Sequence, residues 1–265
     1  KINESNYEVY LQESENIIED IAPFNPSLVI NDKLDTEEDY VLGLQNLGAK
    51  VLSIEDLGAG ALVSDCVVNA IYPEGRVVDG HYYGEQYFCA RDEFFIVPPA
   101  RAPSEVKNVL ISYGGVDPRN LTMKTVESIY HYCQANDISI NVIVGMGYGE
   151  LESLERFEHI TVHNNVKNIA THMHAADIVF SSAGRTVYEL AVVGTPSIVL
   201  AQNSRELTHF FASEENGFLH LGLGGERLAG EINDALVALA EDSEMRLRMQ
   251  RRMAKKDILG GKRRV

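Results

Sequence analysis

Short apolar runs recur along the chain, and between them apolar residues return every three or four positions. The first run, SLVIND (27–32), has the length and composition of a buried strand. TEEDYVLGLQNLG (36–48) carries helical spacing and KVLSIED (50–56) is a second strand, so the three predict a βαβ unit. SDCVVNAIYP (64–73) supplies a third strand. Residues 73–96 then follow neither period, with tyrosine and phenylalanine scattered through GHYYGEQYFCARDEFF. Those aromatics are expected to pack in a core or between domains, because no basic stripe accompanies them to make a stacking surface for bases. VPPARAPSE (97–105) reads as a linker, since clustered proline disfavours helix and central strand alike.

A second series starts after it. VKNVLISYGG (106–115) is a strand running into a glycine turn, NLTMKTVESIYHYCQAN (120–136) an amphipathic helix, and SINVIVGMGYG (139–149) a strand into another glycine turn. HITVHN, helical VKNIATHMHA, DIVFSSAG, helical TVYELAVVG, PSIVLAQN, RELTHFFASEENG and two C-terminal helices complete it. Strands alternating with helices at this spacing predict an α/β fold with mainly parallel, doubly wound sheets, in two domains over residues 1–97 and 104–265. In such sheets ligands sit at the carboxyl ends of the strands. Three small-residue turns fall there, at 113–117, 145–149 and 181–186.

At 265 residues the chain is long enough for two domains of roughly 150 residues, and 45% hydrophobic residues can fill their cores. No apolar run approaches the ~20 residues that span a bilayer, and the opening KINESNYEVYLQ lacks a signal-peptide core, which predicts a cytoplasmic protein without a transmembrane segment. Cys66, Cys89 and Cys133 lack CxxC spacing, so reduced, packed thiols are expected. A net charge of −16 argues against nucleic acid and anionic membranes as partners. It does not exclude a small phosphorylated ligand, which backbone N–H groups and a helix N-terminus hold locally. The basic stretch RRMAKKDILGGKRRV (251–265) is expected to be a solvated final helix.

The turns differ in what they specify. In SYGGVDPRN, Gly114 and Gly115 allow close backbone approach, Asp117 can cap the following helix and Pro118 suits its first turn, so a ligand loop and a plain βα turn remain equally open. VGMGYGE lacks the third glycine of the dinucleotide fingerprint, which disfavours a nicotinamide cofactor. SSAGRTVYEL is more specific: Ser182, Ala183 and Gly184 leave room beside the backbone, and Arg185 and Thr186 offer donors where the helix dipole favours an anion. Two readings of Glu189 stay open. With Thr186 it has the spacing of a capping box, in which its carboxylate serves only a backbone amide; alternatively it accepts from both hydroxyls of a ribose.

The blocks VLISYGGVDPRNLTMKTVESI, NNVKNIATHMHAADIVFSSAGRTVYELAVVGTPSIVL and LGGKRRV resemble the UDP-sugar hydrolases of pseudaminic acid synthesis and their relatives of spore coat polysaccharide biosynthesis, over nearly the whole chain. More distantly they resemble the lipid II-forming N-acetylglucosaminyltransferase and other GT-B enzymes. The resemblance implies two Rossmann-like domains, the N-terminal one incomplete, with a nucleotide-sugar in the cleft between them and its nucleotide mainly on the C-terminal domain. It assigns Glu189 to the ribose, Ser182, Ala183, Gly184, Arg185 and Thr186 to the pyrophosphate, and Gly114 and Gly115 to the phosphates or sugar. It further assigns the backbone around Asn168 and Ile169 to uracil and Asn203 to the sugar. It implies no metal and no other cofactor.

Two departures accompany the resemblance. The family's N-terminal half opens with a glycine-rich loop bearing a histidine general base, and no such loop precedes SLVIND, so the chain is expected to be truncated and to lack the catalytic histidine. LVIND also continues as KLDT where the family commonly has an aromatic residue, as the spore coat subgroup does. Of the eight histidines, His172 and His174 would point apart on a helix and His159 and His163 flank a short strand, so no metal site is expected from them, and His209, expected on the helix after Asn203, reads as a satisfied surface or interface residue. The expected activity is release of UDP from an amino-deoxy UDP-sugar by water. A GT-B glycosyltransferase with the same donor is the alternative, and a nucleotide-sugar-binding module without turnover is a third reading.

Overall fold

The structure is a computed structural model describing residues 7–72, 78–100, 104–225 and 229–265. The chain forms two compact units, one of residues 1–70 and 74–83, the other of 71–73 and 84–265.

The first unit is built on a parallel sheet in the order β1 (Leu28–Asn31), β2 (Lys50–Ile54), β3 (Cys66–Asn69) and β4 (His81–Tyr83). Helices α1 (Ile17–Ile21) and α2 (Glu38–Asn46) accompany it. Val41 and Leu44, one helical turn apart on α2, bury against Val51 with Ile18, Ile21, Val29 and Val63 around them. This is the expected βαβ unit. The short β4, which pairs with β3 from Val67↔His81 to Asn69↔Tyr83, lies inside the stretch that shows no period, because three residues are too few to reveal one. Residues 73–77 of that stretch lie outside the described residues.

The second unit carries a parallel sheet of β5 (Asn108–Ser112), β6 (Ser139–Val144), β7 (Ile160–Asn164), β8 (Ile178–Ser182), β9 (Ser197–Ala201) and β10 (Phe218–Leu223). Its spatial order is β10-β9-β8-β5-β6-β7. Helices α3 (Leu121–Ala135), α4 (Leu151–Leu154), α5 (Ile169–Ala175) and α6 (Thr186–Val193) connect the strands, and α7 (Ala229–Glu241), α8 (Ser243–Met253) and α9 (Gly261–Arg264) end the chain. On α3, Val126, Ile129 and Cys133 recur at helical spacing and are fully buried against Val109, Ile140 and Leu236.

Residues 84–97, expected with the N-terminal domain, pack within the second unit instead. Phe88 and Phe94 bring large apolar rings that need burial, and both are covered. Phe88 stacks on Tyr188 of α6 at 4.6 Å, and Phe211 covers the other ring face at 4.2 Å. The C-terminal residues close over the same stretch. Gly261 packs its backbone on that of Phe88, Lys256 pairs with Glu85 at 3.3 Å and Lys262 with Asp92. Most basic residues of the tail are exposed, as expected, and the tail meets this stretch through surface ion pairs. Of the expected linker, residues 101–103 lie outside the described residues, while Ala100 donates its N–H to Val193 O at the end of α6. The three cysteines are free thiols, but only Cys133 is buried; Cys66 is half-buried and Cys89 exposed.

Candidate functional site

From β5 the chain moves outward through β6 and β7, then returns on the other side of β5 to lay down β8, β9 and β10. The connections leaving β5 and β8 therefore diverge, and the carboxyl ends of this pair form the switch point at which open α/β sheets bind ligands. Two of the three turns singled out by sequence, 113–117 and 181–186, emerge side by side at that point. Ser112 and Ser181 are register partners, and Ser181 Oγ donates to Ser112 O at 3.0 Å.

On the β5 side, Gly114 has φ +94, a left-handed conformation that glycine adopts without strain, and a side chain added at Gly114 or Gly115 would meet open space. The turn after β6 presses on it: a Cβ on Gly145 would lie 2.5 Å from the Gly115 backbone, so glycine there lets the two turns touch. Asp117 caps α3 as expected, though from beyond the first turn. Asn120 is the residue at the helix boundary, while the Asp117 carboxylate accepts from Leu121 N at 2.9 Å and Thr122 N at 2.7 Å. Gln202 Nε2, just past β9, donates to the same carboxylate at 2.8 Å. Arg119 donates to Gln202 O and Gly224 O, which ties the β5, β9 and β10 ends together.

On the β8 side, Ser182, Ala183, Gly184 and Arg185 lead into α6, with Thr186 its first helical residue. Ala183 is already engaged. Its carbonyl meets His209 Nδ1 at 2.9 Å, and its N–H, with that of Gln202 at 2.7 Å, donates to the Glu206 carboxylate. A carboxylate thus rests against the turn assigned to pyrophosphate. Burial raises its proton affinity and those two amides lower it.

Glu189 stands one turn into α6, 8% exposed. The capping-box geometry does not form. Arg185 is the residue preceding the helix, no side chain caps it, and Glu189 turns to Arg91. The guanidinium fork of Arg91 holds it by Nε–Oε1 at 2.9 Å and Nη2–Oε2 at 3.2 Å. Burial pushes the Glu189 carboxyl above its ordinary range, and the hydrogen bond and charge of Arg91 pull it back. Arg91 also pairs with Glu93 at 3.1 Å, and Glu93 Oε2 accepts from Ala170 N at 3.0 Å, in the first turn of α5. Asn168 and Ile169, assigned to the base, therefore sit beside a helix start that Glu93 fastens to the α6 carboxylate.

Asn203 lies at the β9 end of the same sheet edge, where its Oδ1 accepts from Glu206 N at 3.0 Å and caps a 3-10 turn over Glu206–Thr208. His209 ends that turn, so the expected helix is a single short turn. It is 8% exposed rather than a surface residue. Its ring is held by Ala183 O and by Tyr72 Oη at 3.2 Å, and burial lowers its proton affinity. Sequence singled out neither Arg91, Glu93 nor Glu206. Each acts on a partner that only the fold supplies; Arg91 and Glu189 are 98 residues apart. Among the described residues no three His, Cys, Asp or Glu side chains group to hold a metal ion. A concavity of about 390 Å³ lined by Tyr130, Asp137 and His159 lies at the opposite, amino end of β6.

The class defined by these features is an α/β protein of GT-B-like fold with two parallel sheets, the fold of the solved structures it matches. Acinetobacter baumannii MurG superposes with a TM-score of 0.65 at 13% identity, over 96% of this chain and 81% of MurG. S. aureus MnaA, in a co-structure with UDP, gives 0.64 at 10% identity over 97% and 80%. The spinosyn rhamnosyltransferase SpnG, complexed with thymidine diphosphate, gives 0.59 at 11% over 94% and 75%. No protein-family profile matches the chain. By sequence it is 29% identical to an uncharacterised protein of Methanocaldococcus jannaschii, over 94% of this chain and 60% of that protein, so it spans less than two thirds of that relative. It is 24% identical to the spore coat polysaccharide biosynthesis protein SpsG of Bacillus subtilis, over 81% of this chain and 67% of SpsG. No helix among the described residues is long and apolar enough to cross a membrane.

Proposed function

We propose that the second unit binds the UDP moiety of a UDP-sugar at the β5/β8 carboxyl edge, and that the protein separates UDP from an amino-deoxy sugar in polysaccharide or nonulosonic acid biosynthesis. The supporting observation is the register pairing of Ser112 with Ser181, which sets the Gly114–Gly115 turn beside the Ser182–Thr186 turn, with the Glu189 carboxylate one helical turn further. Glycine backbone and the α6 N-terminus suit a diphosphate, and a buried carboxylate suits a ribose diol. In this reading the sugar points toward Asn203. The Glu206 carboxylate gives way to the diphosphate, which offers the same amides more acceptor oxygens. His209 donates from Nδ1 to the Ala183 carbonyl, and its other ring nitrogen faces Tyr72 Oη. Hydrolysis then needs a histidine-bearing loop adjoining this site, the element that the resemblance assigns to the N-terminal half.

A glycosyltransferase reading keeps the same donor site and replaces water with an acceptor hydroxyl. It draws support from the fold shared with SpnG, a rhamnosyltransferase, and from relatedness to a polysaccharide biosynthesis protein. Calorimetry tests the common part: UDP should bind more tightly than UMP, and binding should persist in chelator. Equal affinity for uridine, UMP and UDP removes the diphosphate assignment, and a strict magnesium requirement removes the metal-free one. A coupled UDP-release assay on the chain carrying an N-terminal glycine-rich histidine loop separates the two chemistries. Release in water alone is hydrolysis, and release only with added acceptor sugar is transfer.

A further inference from the structure

The nearest partner of the Glu189 carboxylate is Arg91, which comes from a stretch with no periodic pattern and enters none of the steps above. Both guanidinium contacts are within hydrogen-bond range, in the planar fork geometry that fixes orientation as well as distance. The fork is itself held. Its remaining terminal nitrogen pairs with Glu93, which is fastened to Ala170 N, and the guanidinium lies 5.3 Å from the ring centre of the fully buried Phe94. Behind it, Asp92 pairs with Lys262 and Gly261 packs on the Phe88 backbone, so the arginine stands on a segment that the C-terminal residues cover.

A partly buried ion pair of this kind is weak evidence for a stabilising role. The carboxylate has about four lone-pair directions, of which the fork uses two. We propose that Arg91 is a positioning residue of the nucleoside site, fixing the plane of the Glu189 carboxylate so that each oxygen keeps one lone pair directed to a ribose hydroxyl. This rests on the assignment of Glu189 to the ribose and goes beyond it by naming what makes that carboxylate selective for a diol.

Electrostatics agree with the geometry. Burial drives Glu189 toward its neutral form, Glu93 adds to that, and Arg91 and, less strongly, Arg185 oppose it. Without Arg91 the carboxyl should take up a proton at a higher pH, and a neutral carboxyl accepts from a diol through its carbonyl oxygen alone.

The experiment measures UDP and 2′-deoxy-UDP binding by calorimetry between pH 5.5 and 8.5 for the wild type, Arg91→Ala and Arg91→Lys. Each variant is referred to the wild type at the same pH, so that titration of UDP itself cancels. Arg91→Ala should bind UDP about tenfold more weakly at the acid end, with the deficit shrinking as the pH rises, and should lose most of the preference for the ribose form. Arg91→Lys restores charge without the fork. It should recover the flat pH profile but not the full preference. If Arg91→Ala keeps both affinity and preference, or loses affinity equally for the two ligands at every pH, the positioning role is overturned. If the wild type itself does not distinguish UDP from 2′-deoxy-UDP, the fault lies with the ribose assignment of Glu189.

Discussion

Glu189 gives the most direct test of the site. Glutamine at this position keeps the volume and one acceptor but forfeits the charge and the fork with Arg91. If the carboxylate receives the ribose diol, Glu189→Gln should weaken UDP binding by about 1.5–3 kcal/mol, the range for hydrogen bonds to a charged group. Calorimetry and a thermal melt on the same samples should show this loss with little change in melting temperature, because Arg91 is half-exposed and its freed guanidinium returns to water. An unchanged affinity makes Glu189 a partner of Arg91 and nothing more. The residue was visible in sequence because small residues, a basic residue and an acidic one stand in a row at a strand-to-helix turn. What it touches was not visible: local spacing suggested Thr186 as partner, and the fold supplied Arg91. Local patterns report on neighbours within a turn or two, whereas a site is assembled across the sheet.

Helix α6 carries Glu189 and follows the Ser182–Arg185 turn, and it is held in place at its end as well as along its face. Six of its eight residues are buried, and it stops at Gly194, whose φ of +80 closes the helix through a bond from Gly194 N to Leu190 O at 2.7 Å. A Cβ at Gly194 would meet only Gln250, at an ordinary 3.7 Å, so the cost of Gly194→Ala is the left-handed backbone alone. Chemical denaturation should register about 1–2 kcal/mol of lost stability, with UDP affinity unaltered since the change lies at the far end from the turn proposed to hold the diphosphate. A larger loss would mean that the packing against α8 is tighter than the spacing indicates. Elements such as α6 and β8 were legible because their apolar runs are long and end on glycine or small polar residues. The 3-10 turn before His209 was not, because RELTHFF carries helical spacing for less than two turns. The stretch around Phe88 was not, because its apolar residues serve partners on α6 and in the C-terminal tail.

For the chain as a whole, burial sets a pH limit. His172, His209 and His220 each have proton affinity lowered by burial, so the unfolded chain takes up protons that the folded one resists. Their contribution is fully present above the unfolded value of about 6.5 and is lost as the pH falls below it toward the folded values. Glu189 and Glu206, raised by burial, act in the opposite sense, losing stability as the pH rises from the unfolded carboxyl value through their folded ones. His220 separates the effects, for its Nε2 is buried without a hydrogen-bond partner. Denaturation of His220→Phe and the wild type should show the variant gaining relative stability as the pH drops from 7 to 5. A constant difference across that range would mean that His220 does not titrate between the two states.

The seam between β5 and β8 also sets a timetable. Ser112 and Ser181 lie 69 residues apart, and a chain emerging from the ribosome presents β5, β6 and β7 before β8. The two turns become neighbours only when the second half of the sheet docks onto β5. A ligand held by both turns would bind the finished sheet and not the half-built one, and would draw the equilibrium toward the docked state by mass action. Nucleotide in the surrounding solution would then act as an inspector of completed folding, protecting from proteolysis only those molecules whose sheet has closed.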